Sequence, residues 1–153
     1  GLITDQPGHL IDFMATFVDL ANADYPSRID DRTIDPLQGK SLLPILRGKQ
    51  RDPHETLYFH FGTDRALRQG PWKIVSAKLG KWELYNLEKD RTELTDLAGQ
   101  DPEKLASMTK EWFRIAREKD RLKGKHLFPA GNQIKSLNFR KDTRSGKAVS
   151  SNK

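Results

Sequence analysis

The chain has 153 residues, 35% hydrophobic and 31% charged, enough for one ordinary domain but leaving part of its length too polar to pack. It has no cysteine, which excludes disulfides, thiolate metal ligands and a cysteine nucleophile. The net charge of +6 is uneven: residues 1–116 carry 16 basic and 18 acidic side chains and residues 117–153 carry 11 and 3, so the basic character belongs to the tail and gives no nucleic-acid signature to the body.

The first predicted element is a helix over 8–22. Leu10, Met14, Phe17, Val18 and Ala21 recur at helical spacing, and Ile11, Phe13 and Leu20 widen the apolar face. Pro7 and Gly8 mark its start, and Asn22 is a plausible left-handed stop. A helix this apolar needs cover on more than one side. His9 and Asp12 share a helical face and read either as metal ligands or an acid/base pair, or as an N-terminal His with a solvated or capping Asp. Two residues do not close a metal site, which favours the second reading.

Residues 23–36 form a loop rich in Asp and Arg. Asp30, Asp31 and Asp35 offer oxygens to a hard cation, but no glycine-centred loop with ligand spacing accompanies them, so a solvated loop is expected. A short helix over 40–47 follows, around Leu42, Leu43, Ile45 and Leu46, with Ser41 as cap and Gly48 as stop. Its expected role is a plug of leucines tying the loop to a core. Residues 51–55 read as a polar turn.

Residues 56–98 organise the rest. Three β-rich runs stand close together: 57–61, then 72–77 entered through Ala66, Leu67, Gly70 and Pro71, then 82–87 after a turn at 79–81. Alternation puts Trp72, Ile74 and Ser76 on one face, and likewise Trp82, Leu84 and Asn86. Such a small sheet needs a helix over one face. Asp101-Pro102-Glu103 is a strong helix start, and Leu105, Met108, Trp112, Ile115 and Ala116 give that helix an apolar stripe. The predicted class is α+β: a small antiparallel sheet packed by a C-terminal helix, preceded by a helix belonging to a larger α/β domain. From 118 to 153 a basic tail is expected to be disordered, with 127–129 and 137–139 as its only apolar knots. It is a candidate contact for polyanions. No apolar run approaches ~20 residues, so no membrane-spanning helix is predicted.

The segments ALRQGPWKIV and WELYNLEKDRTELTDLA resemble the C-terminal subdomain of the sulfatase family, arylsulfatase type, within the alkaline-phosphatase-like superfamily. Ala66, Arg68, Gly70, Trp72, Lys73, Glu83, Leu84, Tyr85, Leu87, Asp90, Glu93 and Leu97 match that pattern in order. His9, Asp12 and Thr16 match the family's H-x-x-D-x-x-P-T helix, with Ala15 where Pro is usual; Gly39, Ser41, Leu42, Pro44, Leu46 and Gly48 match its G-x-S-L-x-P-x-L-x-G segment. The resemblance covers residues 5–117. It implies three parts: 1–50 as the end of the large α/β domain, 51–117 as the C-terminal subdomain, and 118–153 as the tail.

The same resemblance implies a parent that hydrolyses sulfate esters of aryl alcohols or carbohydrates. Its formylglycine nucleophile and calcium ion are expected upstream of the D-x-x-P-T helix, which would leave this chain a fragment, inactive by itself; Gly1 stands close to that helix. Asp24-Tyr25-Pro26-Ser27-Arg28 looks like the family's C/S-x-P-S-R nucleophile motif, but Asp24 cannot become formylglycine and the segment lies on the wrong side of the helix. His60, between Phe59 and Phe61, is the candidate substrate contact, since relatives carry a His before this bend near the pocket mouth. A hydrogen-bonded structural His is the competing reading. Arg65 and Arg68 read as anion contacts or, more simply, as partners of carboxylates. Relatives are often exported. A phosphoesterase of the same superfamily and a non-enzymatic polyanion-binding module are the alternative functions.

Overall fold

The computed structural model describes residues 3–119, so the expected disordered tail lies outside the described residues from 120 onward. In chain order the elements are helix α1 (Asp12–Leu20), strands β1 (Arg28–Ile29) and β2 (Arg32–Thr33), helix α2 (Leu43–Leu46), strands β3 (Leu57–Phe61), β4 (Asp64–Gln69), β5 (Trp72–Ser76) and β6 (Glu83–Asn86), and helix α3 (Pro102–Glu118). They divide into two units, Gly1–Glu55 and Thr56–Lys153.

The second unit is the predicted α+β arrangement. Its sheet is an antiparallel meander, β3-β4-β5-β6. The register pairs His60 with Arg65, Leu67 with Ile74, and Ile74 with Leu84. One face therefore carries Arg65, Leu67, Ile74, Ser76, Trp82 and Leu84. It meets Met108, Trp112, Phe113 and Ala116 of α3, and these apolar residues form the core, with Trp72 partly buried against them. The Asp101 carboxylate accepts from the Lys104 amide at 2.9 Å and Pro102 opens the helix, as its sequence requires.

One expectation is corrected. The sheet has four strands, not three: residues 64–69, read as a lead-in, form β4 between β3 and β5. Its alternation was hidden because Arg65 is an inward residue: the guanidinium lies 4.6 Å from the Trp82 ring centre and 5.5 Å from that of Trp112, and donates to Ser76 Oγ. Phe113, next to the predicted Trp112 stripe, is also fully buried.

Gly70 turns β4 into β5 at φ 56°, in the left-handed region where glycine is at no disadvantage. The next turn is different. Lys78 and Leu79 both adopt φ near that value, 50° and 57°. Each costs about 1–2 kcal/mol relative to a right-handed conformation. The Asp64 carboxylate holds the first, accepting the Lys78 amide at 2.7 Å; the Thr63 carbonyl holds the second, accepting the Leu79 amide at 2.9 Å.

The first unit corrects two further expectations. The helix runs over 12–20 rather than 8–22: residues 9–12 form a turn ahead of it, in which the Asp12 side chain reaches back to the His9 amide as the acidic residue of a capping box does. Asn22 does take the left-handed conformation, φ 48°, after the last turn. The leucine plug is only partial: Leu43 is buried, but Leu46 is 70% exposed.

The faces of α1 are inverted. The side turned inward bears Asp12, Ala15 and Thr16, while Leu10, Phe13, Met14, Phe17 and Leu20 are each at least half exposed. The unit is drawn together on its polar side. Gly39 lies so close to α1 that a Cβ there would sit 2.0 Å from the Ile11 carbonyl oxygen.

Trp112 joins helix to sheet by more than burial. Its indole donates to the Phe59 carbonyl at 3.1 Å and its ring contacts Tyr58, His60, Trp82 and Phe113. Trp112→Ala should cost about 3–5 kcal/mol, the range for truncating a buried aromatic. Thermal melting followed by tryptophan fluorescence and circular dichroism checks this; an unchanged midpoint would contradict the packing.

Candidate functional site

Strand alternation and the Gly62 bend set His60 at the end of β3, on the face toward α3. Its Nε2 donates to the Gly62 carbonyl at 3.0 Å, and its ring meets Trp112 edge-on, centroids 5.7 Å apart. The imidazole is partly exposed, and the Gly62 bond and the Trp112 edge contact fix the ring beside the turn.

The two arginines considered as anion contacts differ. Arg65 is 2% exposed, and burial pulls its guanidinium down to about 10, still charged at neutral pH. Its aromatic cage makes it a core cation rather than a surface anchor. Arg68 Nε donates to the Gly70 carbonyl at 3.0 Å, bracing the turn that follows its strand.

The most concentrated polar arrangement lies in the first unit, around Asp12. This carboxylate is fully buried. Oδ2 accepts from the His9 amide at 2.8 Å and from Arg51 Nη2 at 2.9 Å; Oδ1 accepts from the Lys40 amide at 2.8 Å and from His54 Nε2 at 2.7 Å. Arg51 also donates to the carbonyls of Pro7 and Lys40, both at 2.6 Å. Thr16 extends the arrangement, donating to the Asp12 carbonyl and accepting the Leu42 amide.

Asp12 is therefore a capping residue, as one reading had it, but buried rather than solvated. Arg51 and His54, read as members of a polar turn, are its main side-chain partners. Their polar character gave no sign of burial in sequence; a partner for a buried carboxylate was the missing clue.

The acidic loop is exposed throughout 23–33, and Asp30 turns the small β1–β2 hairpin at φ 50°. The look-alike residues Asp24, Tyr25, Pro26, Ser27 and Arg28 lie on this exposed segment. Among the described residues no group of three or more His, Asp and Glu side chains could hold a metal ion.

No family model matches the chain. It is 29% identical over 115 residues to a sulfatase of Formosa agariphila, a match covering 65% of this chain and 20% of that protein. It is 25% identical over 122 residues to an N-acetylglucosamine-6-O-sulfatase of Bacteroides thetaiotaomicron, covering 71% of this chain and 20% of the relative. In fold it is similar to the crystal structure of Ps i-CgsB, with TM-score 0.56 and 21% identity over 92% of this chain and 30% of that one. It is also similar to a structure in complex with its substrate D-glucosamine-2-N,6-O-disulfate, with TM-score 0.51 and 21% identity over 72% of this chain and 24% of that one. The chain is thus similar to sulfatases over most of its length. It spans about a fifth of the length of the curated relatives it matches.

Residues that carry the sulfatase pattern tie loops to elements within each unit. In the first unit Asp12 and Thr16 bond the segment that begins at Gly39. In the second, Lys73 pairs with Glu93 at 2.5 Å, joining β5 to the loop after β6. Asp90 accepts the Leu94 and Thr95 amides, both at 2.8 Å, and the Leu97 amide returns to the Leu84 carbonyl. The pattern is thus a set of loop-to-element ties.

Burial alone would push the Asp12 carboxyl up, but the Lys40 amide, Arg51, the His9 amide and His54 together hold it well below the usual carboxylate range. Its folded-state value is lowered, so the stabilisation is full above about pH 4 and fades as pH falls from there through the folded value. Asp12→Asn should cost about 3–5 kcal/mol at neutral pH by leaving Arg51 unpaired. Urea unfolding across the acid range checks the sign: the gap between wild type and variant narrows as pH falls.

Proposed function

We propose that this chain is the C-terminal part of an enzyme that hydrolyses carbohydrate or aryl sulfate esters, with the reaction centre in the portion of its relatives that the match does not span. The observation that carries the reading is α1. Its polar side is fixed inward and its apolar side is outward, the arrangement expected of an element built to be covered by a larger body. The sulfatase relatives indicate what kind of body that is.

His60 is the proposed substrate contact. Its hydrogen bond to Gly62 and its edge contact with Trp112 fix the ring, so a sulfate or sugar hydroxyl meets it preoriented. The remaining machinery of the reading, a formylglycine nucleophile and a calcium ion that polarises the ester oxygens, belongs to the unspanned portion. The residues described here do not fit a calcium site: Asp12 is saturated by four donors, and Asp30 and Asp31 stand on an exposed hairpin.

The chain by itself should give no turnover of an aryl sulfate such as 4-nitrocatechol sulfate, with or without calcium. Release of the phenol above a heat-killed control would overturn the reading.

A further inference from the structure

The end of the sheet carries a feature that neither packing nor turn chemistry explains. Two turns are bonded into one tip. The first, at 62–63, joins β3 to β4, with Gly62 at φ 58° and Phe61 paired with Asp64 across it. The second is the short helical turn Ala77–Leu79, tied to the first through the Lys78 amide on Asp64 and the Leu79 amide on the Thr63 carbonyl. Phe61, 86% exposed, is the least covered aromatic among the described residues of the second unit. Lys78 is exposed as well and sits at a left-handed position where glycine or asparagine would do at lower cost. The chain thus spends an unfavourable conformation on a lysine, in a turn bonded to the one that follows the exposed Phe61.

We propose that this tip is a docking contact for a sulfated sugar ring, with Phe61 as the apolar platform and Lys78 as the cation for a sulfate oxygen. The inference rests on the sulfate-ester reading above and adds a second contact to it, one residue beyond His60. A sugar ring has an apolar face that an exposed aromatic covers, and a ring sulfate has the charge that an exposed ammonium meets. Asp64 would oppose an anion, but one of its oxygens is engaged by the Lys78 amide. Nearby, Lys81 is engaged with Asp96, and His60 lies on the opposite face of β3. One cation beside one carboxylate suits a single anionic ring rather than a nucleic-acid backbone, which needs a track of cations.

The test is a titration of the chain with D-glucosamine-2-N,6-O-disulfate followed by amide NMR, with unsulfated glucosamine and a short single-stranded oligonucleotide in parallel. Shifts are expected at 61–64 and 77–79 with the disulfate alone. Phe61→Ala and Lys78→Ala should each weaken binding about fivefold or more, the equivalent of one good contact. Lys78→Gly separates binding from structure: it relieves the left-handed lysine and should raise the thermal midpoint while losing affinity as Lys78→Ala does. Shifts absent from the tip or confined to 120–153, equal binding of unsulfated glucosamine, preferential binding of the oligonucleotide at the tip, or full affinity in Lys78→Gly each overturn the proposal. Those outcomes leave the hydrolase reading standing, whereas turnover of an aryl sulfate by the chain alone would remove that reading without moving the tip shifts.

Discussion

A carboxylate taken fully out of water must be met by donors on every side or it will not stay charged. Asp12 meets that condition with two backbone amides, one guanidinium and one imidazole. The four donors come from residues 9, 40, 51 and 54, so satisfying one side chain fixes the approach to α1, the loop after the β1–β2 hairpin, and the segment leaving the unit. Among its described residues no apolar cluster of comparable reach is formed. The first unit is therefore a polar knot, and its apolar residues are free to face outward.

The second unit inverts that logic. Its centre is apolar, made by Leu67, Ile74, Leu84, Met108 and three large aromatics, and the one buried charge among its described residues, Arg65, is placed over aromatic rings. A guanidinium is more weakly hydrated than an ammonium and stacks on indole faces, so Arg65 tolerates this site where a lysine would not. Trp112 connects the two sides of the unit because it is both an apolar filler and a donor. By holding the Phe59 carbonyl it ties the edge strand β3 to the helix, and with it the position of His60 and the turn beyond.

Where a residue's class and its environment agreed, the sequence was readable. The alternation of Trp72, Ile74 and Ser76, the Asp101 cap and the stripe from Met108 to Ala116 all follow from period and composition, and the structure has them. The failures share a cause. Arg65, Arg51, His54 and Asp12 are polar residues placed inside, and pattern reading assigns polar residues to the surface. Losing Arg65 from the inward set concealed β4. Losing Arg51 and His54 reduced the strongest polar cluster among the described residues to a pair, His9 and Asp12. The family pattern pointed to the right residues without saying what they do, because a matched Asp or Thr carries no sign of the amides it will accept.

The outward side of α1 and the strained lysine are complementary departures from local economy. A surface helix normally turns its apolar stripe to its own core, and a tight turn normally uses glycine at left-handed positions. When a chain keeps the costly choice, the compensating interaction must lie either in the rest of the fold or in something that binds. For α1 the fold supplies the polar half of the answer through Asp12 and Thr16 and leaves the apolar half open. For Lys78 it supplies backbone support through Asp64 but no role for the ammonium beyond exposure. Both departures therefore fall at places where an outside body, protein in one case and ligand in the other, would account for them, and the interior of each unit needs neither.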